Sequence, residues 1–372
     1  MNKLIYLINK CFKILKSKKI FYKLNNYKIL ILDNVGSEKL INSLSLKDFH
    51  ILFDRYEEIH IPILIKSLFF VFKYKKYSYK ILYIKKINPK IAITFIDTSL
   101  YYANIFKFIP SCKLIFVQNG RGGSYRFNNI KEKSLRIDYY LINSNCYKEY
   151  ASKFIISKYY ITGSILSNLF NKPILNKVKR IQWISQFKER DMSFNGRFYN
   201  IEDVVNKPIK YYICLILDFC NKHKVDLEII PLSHNQREIN FYKSISPNIK
   251  ILKRIQDDYL SSYKQFKEDA IVVGMDSQLV YESLAIGFRT AFLSRQKFVN
   301  DDSWGFAWPM KISTHGFFWS NDPNKYEINK ILLNLLNVSN NKWNQILKEH
   351  EFAMSYDFQN KISKNLINKL LL

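Results

Sequence analysis

The residues with the clearest chemical reading stand in DAIVVGMDSQLVYESLAIGFRTAFLS, where Asp276 and Ser277 close a strand ending near Gly274 and open a helix that carries Glu282. An apolar strand running into a polar cap predicts a helix start with unpaired N–H groups and the positive dipole end, a place that holds phosphate. Glu282 lies five residues beyond Ser277, about 7.5 Å along a helix axis. That is the reach from a nucleotide's phosphates to its ribose hydroxyls, which a carboxylate binds. Ser277 reads equally as an ordinary helix cap. Glu282 has the alternative of a solvated helix residue, against which stands its weakly charged setting between Tyr281 and Ser283.

A second constellation is VQNGRGGSYRF, glycine-rich, cationic and placed after an apolar run. The backbone amides around Gly120, with Arg121 and Arg126, suit an anionic group. Asn119 cannot act as a general base, so its part would be positional or electrostatic. Asp97 ends another apolar strand and is the candidate for the base that deprotonates an acceptor hydroxyl. Asp33 occupies the equivalent place on the first strand, and either reads as well as a helix cap. His234 and Arg237, in SHNQRE, suit a phosphate or nucleobase, or else a polar loop at the sheet edge. His315 and Gly316 precede the aromatic run FFWS, which together with Trp304 and Trp308 reads as a sugar pocket or as packing.

These residues all follow strands. YKILILDNVGSEKL, KIAITFIDTSLYYANIF, KLIFVQNGRGG and IDYYLINSNCYKEY each run from an unbroken apolar stretch into a polar turn and a helical pattern, with Asn143 or Ser144 as a cap. A second series, RIQWISQF, VDLEIIPLS, AIVVGMDS and RTAFLS, follows the polar stretch near residues 165–180. Strands alternating with helices imply parallel sheets covered on both faces, and ligands bind such sheets at the carboxyl ends of the strands. The expected organisation is a cationic amphipathic helix over 1–27, an acceptor domain over 28–165, a donor domain over 166–345 and a C-terminal helix over 346–372.

The chain has 372 residues, 48% hydrophobic and 24% charged, with a formal net charge of +27. This usage excludes a disordered or collagen-like chain and allows two domain cores. The positive charge attracts nucleic acid, anionic lipid or phosphate-bearing substrates. Lys, Asn, Ile, Tyr and Phe are abundant together, as an AT-rich coding sequence makes them, so the charge is not taken as a sign of nucleic-acid binding. The five cysteines are scattered with no C-x-x-C pair, which fits a reducing cytoplasm. No window is long and apolar enough for a membrane span. MNKLIYLINKCFKILKSKK places Leu4, Ile8, Cys11 and Leu15 on one helical face among lysines, which fits a helix lying on an anionic inner leaflet or packed on the first domain.

The strand, Gly/Ser turn and glutamate-bearing helix resemble the nucleotide-sugar site of GT-B-fold glycosyltransferases. VQNGRGG, TGS at Thr162–Ser164, RIQWISQF and IIPLSHNQREINFY together resemble bacterial surface-carbohydrate and lipopolysaccharide biosynthesis proteins, over most of the chain from about residue 28. The resemblance implies an α/β fold of two Rossmann-like, doubly wound domains facing across a cleft, with the donor on the C-terminal domain. It implies that Ser277 caps the phosphate-binding helix, that Glu282 binds ribose, and that Ser185 and Gln186 lie beside the diphosphate. Polyol-phosphate transferases place a histidine where this chain has Asn119.

The implied activity is transfer of a sugar from a nucleotide-activated donor to a growing surface glycan or glycolipid, at the inner face of the cell membrane. The alternatives are a CDP-polyol phosphotransferase, a nucleotide-sugar 2-epimerase, and a non-catalytic cationic protein bound to nucleic acid or membrane. A G-x-x-x-x-G-K-[ST] loop, H-E-x-x-H, a Cys/His cluster and a D-x-D pair are all absent from the sequence. No cofactor or metal is expected.

Overall fold

The computed structural model describes residues 15–55, 57–120, 127, 130, 133–194, 197–295, 298 and 315–372. The first domain is built on Ile29–Leu32 (β1), Phe49–Leu52 (β2), Ile91–Thr94 (β3), Lys113–Val117 (β4), Leu135–Ile142 (β5) and Ile155–Ile161 (β6). All are parallel, in the order β2-β1-β3-β4-β5-β6. A strand covered on both faces has no polar side, which is why ILIL and IAIT are unbroken apolar runs. Alternate residues of β1 enter different cores: Leu30 and Leu32 pack with Ala92 and Ile84, whereas Ile29 and Ile31 pack with Ile93 and Leu40. The covering helices are Ser37–Leu44 (α1), Ile61–Leu68 (α2), Ser78–Ile87 (α3), Leu100–Phe106 (α4) and Asn145–Ala151 (α5). Ser144, not Asn143, caps α5, accepting from the Tyr147 N–H at 3.1 Å.

The second sheet comprises Arg180–Ile184 (β7), Asp226–Ile230 (β8), Lys250–Ile251 (β9), Ala270–Gly274 (β10), Arg289–Leu293 (β11) and Trp319–Ser320 (β12). It is also all parallel, in the order β9-β8-β7-β10-β11-β12. Its helices are Lys207–His223 (α6), Gln236–Ile245 (α7), Gln278–Ile286 (α8), Lys325–Asn337 (α9) and Asn340–Glu349 (α10). One core holds them, with Trp183, Tyr212, Phe292 and Trp343 fully buried. The strand order reverses between β1 and β3 in the first sheet and between β7 and β10 in the second, so each sheet has a switch point at which the flanking loops part and leave a crevice.

Two parts of the expected organisation change. Residues 1–14 of the N-terminal helix lie outside the described residues, and the helix does not continue to residue 27: Lys18–Ile20 is a short strand, parallel to Glu58–His60. The segment 346–372 is not one helix. Helix α10 runs from its Ser339 cap across residue 345, and Lys361–Leu371 (α11) follows a crossing segment. Helix α11 returns to the first domain, where Leu366 and Ile367 join the core formed with Ile29, Ile93 and Leu141. The crossing is held by Asn360, whose Nδ2 donates to the Ser43 and Ile165 carbonyls and whose Oδ1 accepts from Asn168. Gly163, at φ +67°, passes so close to Ser355 that a Cβ would lie 2.3 Å from its carbonyl oxygen. Among the described residues, no helix is long and apolar enough to cross a membrane.

Candidate functional site

The carboxyl ends of β7, β10 and β11 lie side by side, and their loops bring together residues distant in sequence. Gln186, just past β7, donates from Nε2 to Asp276 Oδ1 at 2.9 Å. Arg295, just past β11, donates from a guanidinium nitrogen to Asp276 Oδ2 at 2.9 Å. Arg295 is buried and Lys188 is exposed beside it, and partial desolvation together with the nearby Arg295 charge lowers the Lys188 pKa, with Asp276 acting in the opposite sense. Asp276 therefore pairs directly with Arg295 and also feels the charge of Lys188 at the mouth of the switch point. Ser277 caps α8, accepting from the Leu279 N–H at 3.3 Å. That cap leaves other first-turn N–H groups and the positive dipole end directed at the same place. Gln186 Oε1 and Gln278 Oε1 are buried there without a hydrogen-bond partner among the described residues.

Glu282 is buried, 4% exposed, at the centre of α8. Its carboxylate accepts from the Tyr263 hydroxyl at 2.5 Å and from Gln278 Nε2 at 3.1 Å. Burial pushes the carboxyl above its ordinary range, against hydrogen bonds from Ser164, Tyr263 and Gln278 and the charge of Lys39, which pull it down. Ser164 belongs to the linker after β6 and Lys39 to α1, so Glu282 feels the other domain as well as its own. The alternative of a solvated helix residue is therefore excluded by its burial.

Ser185 is less accessible than expected. Its hydroxyl donates to Glu238 Oε1 at 2.6 Å and accepts from the Tyr242 hydroxyl at 2.8 Å, so it supports the loop after β8 from beneath. Glu238, fully buried, accepts the backbone N–H groups of Leu232, Ser233 and His234 at 2.7–2.8 Å. Asn235 caps α7 by accepting from the Glu238 N–H at 2.8 Å. Asn235 and Glu238 thus form an N-x-x-E capping pair, a local signal that marks Glu238 as the organiser of this loop.

His234 sits at φ +56° with Nδ1 buried and without a partner among the described residues. Arg237 is exposed and donates to Glu189 at 3.0 Å. Arg237, Phe187, Glu189 and Asn206 line a cleft of about 410 Å³ next to the end of β7.

Across the cleft, Asp97 is buried and accepts from the Tyr140 hydroxyl at 2.9 Å and from the Asn119 N–H at 3.3 Å. It is the backbone of Asn119 that makes this contact. Gln118 accepts the Asn143 N–H at 2.8 Å and donates to the Gly120 carbonyl at 3.0 Å. Gly120 takes φ +77°, and Arg121 and Arg126 lie outside the described residues. Asp33, buried at φ +77°, accepts from Arg55 Nε at 2.8 Å and from the Val35 N–H at 3.1 Å. It is an ion-pair partner and turn residue; the cap position of α1 belongs to Gly36. The domains also touch where Asn42 of α1 donates to the Tyr259 hydroxyl at 3.3 Å.

The FFWS run is packing: Phe318 and Trp319 are buried against Trp343 and His350. His315 Nδ1 lies 3.0 Å from Ser320 Oγ. Trp304 and Trp308 fall outside the described residues.

Sequence reading missed Lys188, Arg295, Tyr263 and Glu238. Only Glu238 had a local signal; the others converge through strand order.

Among solved structures, the wall teichoic acid polymerase TagF is similar at 12% identity, covering 92% of this chain and 88% of that one with a TM-score of 0.50. The UDP-GlcNAc 2-epimerase of Methanocaldococcus jannaschii covers 93% of this chain and 100% of its own at 13% identity and a TM-score of 0.47. A glycosyltransferase from Rickettsia africae covers 93% and 99% at 12% identity and a TM-score of 0.46. The TagF likeness shows the fold, the GT-B arrangement of two Rossmann-like domains. Among curated proteins, none matches the chain. Residues 115–371, more than half of the chain, match the family described as "putative O-antigen biosynthesis protein", and the chain belongs to that family.

Proposed function

We propose that this protein is a glycosyltransferase that moves a sugar from a nucleotide-diphosphate donor to a growing surface glycan. The observation that supports it most directly is the convergence of Gln186, Asp276 and Arg295 at the switch point of the second sheet, beside the Ser277-capped start of α8. In this reading the α8 amides, Arg295 and Lys188 hold the diphosphate, and the buried acceptors Glu282 and Gln278 Oε1 take the ribose hydroxyls. The base and sugar face the cleft lined by Arg237 and Phe187.

The acceptor hydroxyl enters from the first domain and attacks the anomeric carbon. The bond from that carbon to the diphosphate oxygen breaks, and the diphosphate leaves with the electron pair. Asp97 takes the acceptor's proton, oriented by Tyr140 and the Asn119 amide. Fixed cations and amides stabilise the leaving group, so the reaction proceeds without a required metal. Membership of a surface-glycan family and the charge of +27 support work at the cytoplasmic face of the membrane, held there peripherally.

A thermal-shift panel of UDP, GDP, CDP, CMP, dTDP and their sugar conjugates tests the donor site, because a ligand that binds only the folded state raises its stability. The expected result is a shift with one nucleotide class that is lost in Glu282→Ala, and turnover insensitive to chelator. A shift that survives in Glu282→Ala and Arg295→Met moves the donor elsewhere, and no shift in folded protein overturns the reading. A free 2-epimer released from the shifting donor, with no transfer, assigns epimerase chemistry instead.

A further inference from the structure

The first domain carries an apolar surface that the donor and acceptor chemistry does not use. Helix α2 and the short helix Val71–Tyr74 that follows it expose Ile65, Leu68, Phe69, Val71 and Phe72, with Phe69 80% and Phe72 98% exposed. Single exposed apolar residues are ordinary, but five within the eight residues 65–72 are not. The underside is fixed: Ile63, Tyr74 and Ile81 are buried in the domain core. The Ser78 hydroxyl donates to the Phe70 carbonyl at 3.1 Å, which ties the turn to the start of α3. The apolar residues are therefore held out on a rigid mount.

The charge around them is one-sided. Between Glu58 and Asp97 the sequence has eight lysines and no carboxylate, and Lys66, Lys73, Lys75 and Lys76 surround the apolar tip. A second copy of this chain would meet the tip with like charge, whereas an anionic lipid surface matches it. Apolar and aromatic groups at a tip with lysines at its rim form the pattern of an interfacial element, in which the ammonium groups reach the headgroups while the rings enter the acyl boundary. The mount is also next to the cleft. Lys80 of α3 pairs at 2.6 Å with Asp54, just past the carboxyl end of β2, on the edge that carries Asp33 and Arg55.

We infer that residues 65–76 form a membrane-insertion element for an anionic bilayer, separate from the N-terminal segment and placed beside the mouth of the acceptor domain. This shares a membrane location with the proposed function but not its chemistry, so vesicle binding and turnover are read separately.

The test is flotation of the full chain with phosphatidylcholine vesicles with and without phosphatidylglycerol. The wild type is expected to float with the anionic vesicles. Phe69→Ser with Phe72→Ser lowers partitioning by about tenfold or more, and Lys73→Glu with Lys75→Glu and Lys76→Glu abolishes the preference for phosphatidylglycerol. Both variants keep the wild-type melting temperature, because the altered side chains are exposed, and soluble-acceptor turnover is unchanged. A Phe72→Trp variant shows blue-shifted emission quenched by brominated lipid. Unchanged partitioning of the double Phe variant overturns the inference, as does vesicle-bound Phe72→Trp protein whose added emission brominated lipid fails to quench. A lipid-free dimer that the same Phe substitutions dissolve assigns the surface to a second copy and overturns it too.

Discussion

Two buried glutamates in the second domain show how its two edges differ. Glu228, on β8 near the amino edge of the sheet, is 1% exposed and meets Arg180 at 2.8 Å, Lys250 at 2.9 Å and Lys267 at 3.3 Å. Burial alone would raise its pKa, but these three cations outweigh it and hold the carboxyl at about 2. Glu282, at the carboxyl edge, is as deeply buried but meets hydroxyls and an amide, and its pKa moves up. At the amino edge charge is compensated within the chain, which serves stability. At the carboxyl edge a carboxylate is held by hydrogen bonds, with no cation in direct contact among the described residues, beside oxygens of Gln186 and Gln278 that have no partner among them, which serves a ligand.

The largest expected effect breaks the first half of that contrast. Glu228→Ala leaves three cations facing an empty site and lowers stability by about 3 kcal/mol or more in denaturant unfolding. Because the folded pKa is depressed, the wild type's advantage is present above the ordinary carboxyl range. It fades as pH falls toward about 2, where the two proteins converge. Arg295→Met strikes the second half: nucleotide affinity in titration calorimetry falls roughly tenfold to a hundredfold, the worth of a charge-assisted hydrogen bond, while stability changes less than in Glu228→Ala.

Glu282→Gln sharpens the contrast by sign. A raised folded pKa means that the folded state binds the extra proton, so this group's contribution is present at low pH and lost as pH rises through the folded value. Melting curves of wild type and Glu282→Gln therefore coincide in acid, and the variant gains relative stability toward neutral pH, while nucleotide affinity drops about tenfold. The smallest effect is at Arg55, whose side chain is 56% exposed beside Asp33. Arg55→Ala costs less than about 1 kcal/mol in the same unfolding assay.

Strand positions were legible because both sheets are parallel and covered on both faces, so ILIL, IAIT, RIQWI and AIVVG carry a signal that needs no neighbour to interpret. Ser277 and Asp276 were legible for a similar reason, since helix caps are local. Arg295 and Lys188 were not. Their meeting with Asp276 depends on β7, β10 and β11 being adjacent, an order that hydrophobic periodicity does not encode. The same limit applies to α11, where Leu366 and Ile367 mark an apolar face but not the domain it covers. At the N-terminus, helical spacing over residues 1–27 concealed the strand Lys18–Ile20, whose partner lies about forty residues on.

The return of α11 has a consequence for synthesis. Asn360 and Ser43, joined by a hydrogen bond, are 317 residues apart. During translation the first sheet emerges with Ile29, Ile93 and Leu141 lacking the helix that covers them, and the whole second domain must leave the ribosome before α11 arrives. Domains ordinarily fold as units in the order they are made. Here the first-made domain is the last to be completed, and the second domain reaches its finished core earlier. Released chains truncated before residue 361 should therefore show a protease-resistant second domain and a first domain that is still cleaved.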